Sequence, residues 1–465
     1  MSMYRKRRSA AIASGLGLAL ALAACSGPPG SEEGAGAAGG GEAAEGCEDY
    51  QQFIEMGDLD GTEVEVYTTI TGDEAEAQEA SYEEYERCTG SEISYEASDE
   101  FEAQIAVRIQ SGSAPDIAYI PQPGLLQRLV NDFPDAIQPA SEEVSEKVDE
   151  FFTEEWREYG TVNGELYGSP LGANAKSFVW YSPAMFEEAG YEIPQTWDDL
   201  IALSDQIVAD HPDTKPWCAG IASGDATGWP ATDWLEDVVL RTAGTEVYDQ
   251  WFAHEIPFND PQIVSALEAT GEILRNPDYV NGGLGDVSSI ANTAWDAGGF
   301  PILEGQCWMH RAANFYGVNW QQVREDVEIG EDGDVFAFYL PSASEEKPLL
   351  GGGEFVVSFE DRPEVNAFHT YLASDVWAND KAEVSNAGWV SANSGLDPEL
   401  LQSPIDRLSN ELLASDEYTF RFDASDLMPG PVGAGSFWEG MTNWLSNPSA
   451  TEDEVLTFIE GSWPE

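Results

Sequence analysis

Basic residues are scarce in this chain. Only 20 Lys and Arg accompany 86 Asp and Glu in 465 residues, and the formal net charge is −66. A surplus of this size excludes nucleic acid as a partner and argues against anionic membrane surfaces, because both repel acidic proteins. The acids are spread along the whole chain, which is typical of a solvated acidic surface. Since salt screens such self-repulsion, the composition predicts a saline or alkaline habitat.

Catalytic signatures are also missing. The chain contains no G-x-S-x-G, H-E-x-x-H, G-x-G-x-x-G or P-loop pattern. Its histidines are scattered, at His211, His254, His310 and His369. A glycoside hydrolase needs two carboxylates at a set separation, and no pair can be selected from so many acids by sequence. We therefore expect a protein that is not an enzyme and needs no cofactor.

Long apolar runs are absent apart from one near the amino terminus. Four basic residues at 5–8 precede an apolar run over Ala10–Ala24, which is too short to span a bilayer comfortably. This pattern predicts a secretory signal peptide over residues 1–24. It ends in Leu-Ala-Ala-Cys, which resembles a bacterial lipobox, so we expect acylation of Cys25; ordinary cleavage without a role for this cysteine is the alternative. Residues 25–46 should form a flexible linker.

The most informative stretch is Gly160–Leu200. Its residues predict a turn at Asn163-Gly164 and a strand over Lys176–Tyr181. A short helix should follow between Ser182, as its N-cap, and Gly190. The Thr196–Asp199 segment is a capping-box pattern that opens a second amphipathic helix. The stretch therefore has the strand–helix–loop–helix character of an α/β protein.

The order of motifs in this stretch is more specific than its elements. G-x-L-Y-G-x-P is followed by W-Y, then F-x-x-A-G, then P-x-T-W-x-x-L. This succession resembles the segment of extracellular solute-binding proteins for sugars at which the chain first crosses between lobes. Upstream, a strand over Asp116–Ile120 delivers a Pro-Gln-Pro-Gly turn, which is similar to the turn that borders the cleft in family 1 proteins of the alpha-glucoside and maltose type. The resemblance covers roughly residues 60 to 465.

The resemblance implies an α/β fold of the two-lobed periplasmic-binding-protein class, type II, with a hinge and an interlobe ligand cleft. Lobe 1 is expected to comprise residues 61–172 and 341–391. Lobe 2 is expected to comprise residues 173–340 and 392–465. Lobes of this kind move about hinge strands when a ligand enters the cleft.

Without Cys25, four cysteines remain, an even number for an oxidising compartment. They allow three pairings. We expect Cys47–Cys88, which would tie the start of the folded region to its first helix, and Cys218–Cys307 within the second lobe. Metal binding is the alternative, but no two of them form a C-x-x-C pair, so we expect no metal site.

A sugar presents hydroxyls and apolar C–H faces, so its cleft needs aromatic platforms together with carboxylates, amides and Arg. Trp229 lies between Gly228 and Pro230, which predicts a ring held on a stiff loop. For each candidate, packing or an interlobe hydrogen bond is the alternative. The resemblance implies the shorter Asp after the glycines at residues 351–353, and Glu354 departs from it. The candidate ligand-binding residues are Asp99, Gln122, Asn174, Trp229, Arg311, Phe315, Glu354, Asp423 and Trp438.

These expectations together describe a monomeric, lipid-anchored receptor at the extracellular face of the cell membrane. By resemblance it captures an oligosaccharide, an alpha-glucoside first of all, and delivers it to the permease subunits of an ABC transporter. The runner-up is a binding protein for a cationic molecule, a polyamine or a quaternary amine, held in an aromatic cation–π cage. A secreted glycoside hydrolase ranks third.

Overall fold

The computed structural model of the protein describes residues 44–282, 287–385 and 387–464. The predicted signal peptide, Cys25 and the linker up to residue 43 lie outside the described residues. Within the described ranges, every helix is too short or too polar to cross a bilayer.

Strands and helices alternate along most of the chain. The strands are β1 Glu63–Thr68, β2 Glu92–Ala97, β3 Ile117–Ile120, β4 Thr161–Val162, β5 Glu165–Leu166, β6 Gly168–Pro170, β7 Asn174–Ala175, β8 Phe178–Tyr181, β9 Lys215–Cys218, β10 Val280–Asn281, β11 Cys307–Arg311, β12 Phe336–Tyr339, β13 Pro348–Gly352, β14 Phe355–Ser358 and β15 Thr419–Phe422. The helices are α1 Gln51–Ile54, α2 Gly72–Ala80, α3 Glu83–Thr89, α4 Phe101–Ser111, α5 Pro123–Asp132, α6 Glu142–Phe151, α7 Glu154–Tyr159, α8 Pro183–Ala189, α9 Trp197–Asp210, α10 Trp229–Thr242, α11 Thr245–Phe252, α12 Pro261–Leu274, α13 Trp320–Val323, α14 Pro363–Leu372, α15 Asp375–Val384, α16 Pro404–Ala414, α17 Ala424–Leu427, α18 Trp438–Ser446 and α19 Glu452–Glu460.

Two five-stranded sheets organise these elements. The first has the order β2-β1-β3-β14-β6, and the second has the order β10-β9-β11-β8-β12. In each, three parallel strands are followed by strands of antiparallel pairing. Helices separate the parallel strands in sequence, as crossover connections require. The α/β architecture with two lobes is therefore confirmed.

Two short strands carry the chain between the sheets. β7 follows β6 of the first sheet and precedes β8 of the second, and β13 leads back into β14. β7 and β13 pair antiparallel, with Gly352 opposite Asn174, and β15 pairs with the other edge of β13. The lobe boundaries that the sequence predicted fall beside these two strands. The exact boundaries stay a prediction. The chain therefore passes between the two sheets at these paired strands.

Most local signals of the crossover stretch correspond to the observed structure. Asn163 and Gly164 both have positive φ, 55° and 85°, in the tight hairpin between β4 and β5. Pro183 is the first residue of α8, and Gly190 ends it in the left-handed region. The capping box at the start of α9 is formed by reciprocal bonds of Thr196 and Asp199.

Two local predictions need correction. The Ser182 side chain makes no capping hydrogen bond, although the residue does occupy the N-cap of α8. The central strand starts at Phe178 rather than at Lys176, because the Lys176 backbone N–H instead bonds the Leu350 carbonyl. The acid-rich segment over residues 74–88 is helical and forms α2 and α3, which are separated where the chain turns at Ser81.

The cysteine pairing agrees with the expectation. Cys47 bonds Cys88, with a Cα–Cα distance of 5.5 Å, and this ties the start of the folded region to α3. Cys218 bonds Cys307, with a Cα–Cα distance of 5.7 Å, across β9 and β11 of the second sheet. Both separations are normal for disulfides. The two predicted disulfides are confirmed, and the second one braces the strands next to the site described below.

Candidate ligand-binding site

Three aromatic rings meet on the side of the second sheet. Trp229, Trp295 and Phe315 contact one another with ring centroids 5.2, 5.9 and 5.8 Å apart, and each ring is half-buried. We call this group the aromatic face. The ring planes are inclined to one another by 63°, 56° and 79°, so the rings form an angular apolar surface whose geometry is set by packing, and each ring can present its own face. Such a surface suits the C–H face of a sugar ring.

Trp229 is held by a helix rather than by the stiff loop that the sequence predicted. It is the first residue of α10, and Pro230 occupies the next position. Gly228 before it has a φ of 117°, and a Cβ there would lie 2.4 Å from the Trp438 carbonyl oxygen. Only glycine fits this approach. The orientation of Trp229 is therefore fixed through α10 and through the backbone of α18.

Trp295 was missed in the sequence because it lies in an irregular segment with no periodic pattern. In the structure, the nearby backbone packs closely, since a Cβ on Gly299 would lie 2.8 Å from the His310 ring. With 45 glycines in the chain, this glycine is no signal in the sequence, so the sequence offered none for Trp295.

Polar residues lie on the side of the first sheet. Gln122 occupies the N-cap of α5 at the carboxyl end of β3, and its Nε2 donates to Glu102 Oε1 at 3.1 Å. The predicted Pro-Gln-Pro-Gly turn follows β3 and leads directly into α5, with Pro123 as the first helical residue. Asp99 is exposed, and its Oδ1 accepts a hydrogen bond from Thr71 at 3.3 Å. Open α/β sheets place ligands at this end of their strands.

The two sides approach each other at a loop of the second lobe. A Cβ on Gly224 would lie 3.9 Å from the Asp99 carbonyl oxygen. Burial raises the pKa of the Glu102 carboxyl most. The carboxylate of Asp225, which follows Gly224 in the chain, is close enough to raise it further. We call Asp99, Glu102, Gln122 and Asp225 the acidic rim. The aromatic face and the acidic rim together define the candidate site.

Beneath the aromatic face lies a buried network of charges. Lys176 Nζ lies 2.5 Å from Asp423 Oδ2, 3.2 Å from Asp233 Oδ1 and 5.8 Å from the centroid of the Trp229 ring. Arg311 bonds Asp233 at 2.9 Å and Asp237 at 2.6 Å. Although burial opposes it, the Asp233 and Asp423 carboxylates raise the pKa of Lys176, which therefore stays charged. This network connects β7, α10, β11 and the start of α17.

Arg311 and Asp423 were expected to face the ligand, but the structure places them in this network. Their exposed fractions are 4% and 1%, and their charged atoms bond protein groups. The physical reason is the composition of one buried face of α10. Asp233, Glu236 and Asp237 lie three and four residues apart on this face, and buried carboxylates need cations beside them. That i, i+3, i+4 spacing of acids was the signal in the sequence. We now propose that Arg311 and Asp423 position the site rather than contact the ligand.

Oxygens of Asp233, Glu236 and Asp423 lie within 4.8 Å of one another, a spacing that would suit a metal ion. The Lys176 ammonium already occupies the position of a cation between Asp233 and Asp423. Glu236 accepts the backbone N–H groups of Ala424 and Ser425 at 2.9 and 3.2 Å. Burial, followed by Asp423, raises the pKa of Glu236, so this carboxyl tends to be protonated. The arrangement is that of a structural ion cluster.

The remaining candidates lie near the hinge or behind the aromatic face. Asn174, in β7, lies beside the Glu354 side chain, and both residues are half-buried. Burial raises the pKa of Glu354. Trp438 is 6% exposed and begins α18, so its carbonyl supports Gly228 while its ring is packed away from solvent. The structure thus brings Trp229 together with Phe315 and brings Asp99 to the loop at Gly224. Gln122 lies beside Glu102, and Asn174 lies beside Glu354 where the chain passes between the sheets.

A family model for the bacterial extracellular solute-binding protein matches residues 68–303. The chain belongs to this family. The osmoprotective compounds-binding protein GgtB of Synechocystis sp. (strain ATCC 27184 / PCC 6803 / Kazusa) is 37% identical over 88% of this chain and 94% of its own length. The alpha-glucosides-binding periplasmic protein AglE of Rhizobium meliloti (strain 1021) is 34% identical over 89% of both chains.

Solved structures show the same fold as this solute-binding protein. The solute receptor AcbH, described with a preference for β-D-galactopyranose, has a TM-score of 0.70 at 16% identity and covers 86% of this chain and 98% of its own. Maltose-bound MalE3 of T. maritima has a TM-score of 0.64 at 15% identity, with the same coverage. At such low identity the likeness shows the two-lobed fold alone. The named relatives are binding proteins rather than enzymes.

Proposed function

We propose that this solute-binding protein is an extracellular receptor that captures an oligosaccharide, an alpha-glucoside first of all, and delivers it to an ABC permease. The observation that carries the proposal is the aromatic face, whose three half-buried rings contact one another. Three half-buried rings offer stacking surface, and Gln122 with the rim carboxylates offers hydrogen-bond acceptors for hydroxyls. The name of the relative AglE supports alpha-glucosides as the ligand class.

Ligand binding would close the two lobes about the paired strands β7 and β13. Lys176 directly follows β7, and its amine binds Asp423 and Asp233 in the network beneath Trp229. A hinge that is tied by buried ion pairs to the floor of the site would transmit closure as a rigid-body motion. The closed form would then present a surface of both lobes to the permease.

A thermal-shift panel on the full chain tests the ligand class. We expect maltose, sucrose or trehalose to raise the melting temperature by a few degrees, because a ligand at 100 times its Kd stabilises by about 2.7 kcal/mol. Cellobiose serves as the β-linked control, and spermidine and choline represent the cationic alternative. A response to the two cations alone would overturn the proposal in favour of that alternative. Release of monosaccharide from these sugars on long incubation would instead support the third function, a secreted glycoside hydrolase.

The same panel, repeated from low to molar salt, tests the proposed saline habitat. The exposed carboxylates repel one another, and added salt screens that repulsion. We expect the melting temperature without ligand to rise with salt. A flat or falling melting temperature would remove the habitat proposal and leave the ligand class untouched.

We further propose that the protein is a monomer anchored through acylated Cys25, on the Leu-Ala-Ala-Cys pattern at residues 22–25. Cys25→Ala is expected to leave the precursor uncut or to release the protein from the membrane fraction. Cell fractionation with immunoblotting measures this, and Cys25→Ala protein that is processed and retained like the parent would contradict the anchor. Ser26→Ala is the matched control, since it leaves the cysteine intact.

A further inference from the structure

Phe315, one of the three rings of the aromatic face, directly follows a fully buried asparagine in the chain. Asn314 is 0% exposed and begins a short 3-10 helix, Asn314–Asn319. Its Oδ1 accepts a hydrogen bond from the backbone N–H of Ala175 at 2.8 Å, and its Nδ2 donates to the backbone carbonyl of Gly388 at 3.0 Å. Ala175 ends β7, which carries the chain between the sheets. Asn314 therefore ties the backbone beside Phe315 to β7 and to the segment around Gly388.

Gly388 is itself held from two directions. Its carbonyl accepts the hydrogen bond from Asn314, and its backbone N–H donates to Asp406 Oδ1 at 2.6 Å. Asp406 lies in α16 and is fully buried, so both backbone groups of Gly388 are bonded to buried side chains. A buried polar group that loses its partner is costly, and this backbone is therefore fixed in place.

Gly388 also lies directly against the backbone of Phe315. Its φ is 88°, a conformation that glycine adopts without steric cost. A Cβ at this position would lie 3.0 Å from both the Cα and the carbonyl oxygen of Phe315, which is closer than side chains ordinarily pack. The Phe315 ring in turn contacts Trp229 and Trp295. The close backbone contact thus sets where this ring lies against the other two.

We infer that Asn314 and Gly388 are positioning residues, which hold the backbone of Phe315 so that its ring completes the aromatic face. The inference rests on the proposed function, in which the aromatic face is the stacking surface for the sugar. Asn314 does not contact the sugar itself, because it is fully buried and both ends of its amide bond backbone groups. It acts through Phe315, and its effect on binding therefore depends on the presence of the Phe315 ring.

Two consequences follow for the ring of Phe315. A half-buried ring is packed on part of its surface, so the backbone that carries it decides where it points. A ring that is fixed before the sugar arrives loses less conformational freedom on binding, and this favours affinity. Because Asn314 also bonds β7, a movement of this strand between the lobes is passed to the ring.

A fluorine label at position 315 tests the positioning without any ligand. In the full chain with para-fluorophenylalanine at this position, we expect a single fluorine NMR resonance. Asn314→Ala should shift or broaden this resonance, because the labelled backbone then loses its attachment to β7. Asn393→Ala is the matched control and should leave the resonance unchanged: this asparagine is also buried and also bonds two backbone groups, those of Gly395 and Ala373.

Calorimetric titration with maltose in a double-mutant cycle tests the consequence for binding. Phe315→Ala should weaken binding about tenfold, through loss of the ring. Asn314→Ala should weaken it about fivefold in the parent but less than about twofold in Phe315→Ala protein, where the ring through which it acts is absent. The melting temperature should fall equally in both backgrounds, because the lost hydrogen bonds involve backbone groups that Phe315→Ala retains.

Two further variants keep both experiments decisive. Gly388→Ala should reproduce the pattern of Asn314→Ala, since its Cβ meets the Phe315 backbone and not the ring. If Asn314→Ala does not fold, Asn314→Asp takes its place. The aspartate keeps an oxygen for the Ala175 N–H and removes only the donor to the Gly388 carbonyl.

The outcomes separate this inference from the proposed function. An unchanged fluorine resonance in Asn314→Ala protein overturns the inference whatever the sugar result, as does an equal loss of maltose affinity in both backgrounds. If maltose does not bind the parent, the proposed ligand class is wrong for maltose, and the fluorine measurement alone decides the positioning. If Phe315→Ala leaves maltose affinity unchanged, Phe315 is not part of the stacking surface and the inference is overturned, while Trp229→Ala still tests the rest of the aromatic face.

Discussion

Replacement of Trp229 by alanine is expected to weaken binding of the best sugar about thirtyfold while leaving the fold intact. The ring is half-buried and contacts Trp295 and Phe315, so its removal takes away stacking surface rather than core volume. Burial of a large apolar side chain contributes roughly 2 kcal/mol, which corresponds to that loss of affinity. Calorimetric titration and thermal melting of one preparation measure both properties.

Two further variants give the Trp229 result its meaning. Trp229→Phe keeps an aromatic platform and should lose less affinity than Trp229→Ala. Trp180→Ala is the packing control, because this ring is fully buried in β8 and donates its N–H to the Ala312 carbonyl; it should cost about 3–5 kcal/mol of stability. If Trp229→Ala behaves like Trp180→Ala, with a sharply lowered melting temperature and near-normal affinity, then Trp229 belongs to the core.

Replacement of Arg311 by methionine is expected to destabilise the protein by about 3–5 kcal/mol, the cost of leaving buried charge uncompensated. Its guanidinium bonds Asp233 and Asp237, which lie in the interior of the second lobe. Chemical denaturation at constant salt measures the free energy of unfolding. Sugar affinity, measured at a temperature well below the melting temperature of the variant, should change much less than the stability. The reason is that the Arg311 side chain bonds protein carboxylates and not the ligand.

Arg324→Met is the control for loss of an arginine charge. Arg324 is 45% exposed and pairs with Asp326 and Asp334 at the surface, so its removal should cost under about 1 kcal/mol. Wild-type stability combined with lost sugar affinity in Arg311→Met would return Arg311 to the set of ligand contacts.

Local elements of this protein follow from short-range chemistry and were predictable. The capping box at Thr196 and Asp199, the Pro183 start and the Gly190 end of α8 depend on backbone groups a few residues apart. The pairing of Cys218 with Cys307 also agreed with expectation once both were placed in one lobe. In each case the deciding interaction is local, or is covalent between few candidates.

The roles of the candidate site residues depended on partners far away in the chain. Arg311 and Asp423 are of residue types that can contact a sugar. In the structure their charged atoms instead bond Asp233, Asp237 and Lys176. Trp295 joined the aromatic face only because its segment packs against Trp229 and Phe315. Periodicity and composition cannot distinguish a carboxylate that faces a cavity from one that faces a buried lysine.

Composition and motif order establish the acidic character and the family of this protein: an acidic chain with four cysteines after residue 25 and the motif order of a solute-binding protein. These features suffice for such properties, because each depends on residues that act alone or on near neighbours. Which side chains are available to a ligand depends instead on the tertiary structure. Long-range packing of β7, α10 and β11 buries one set of charges and leaves the acidic rim beside the aromatic face, since burial and pairing are properties of the assembled fold.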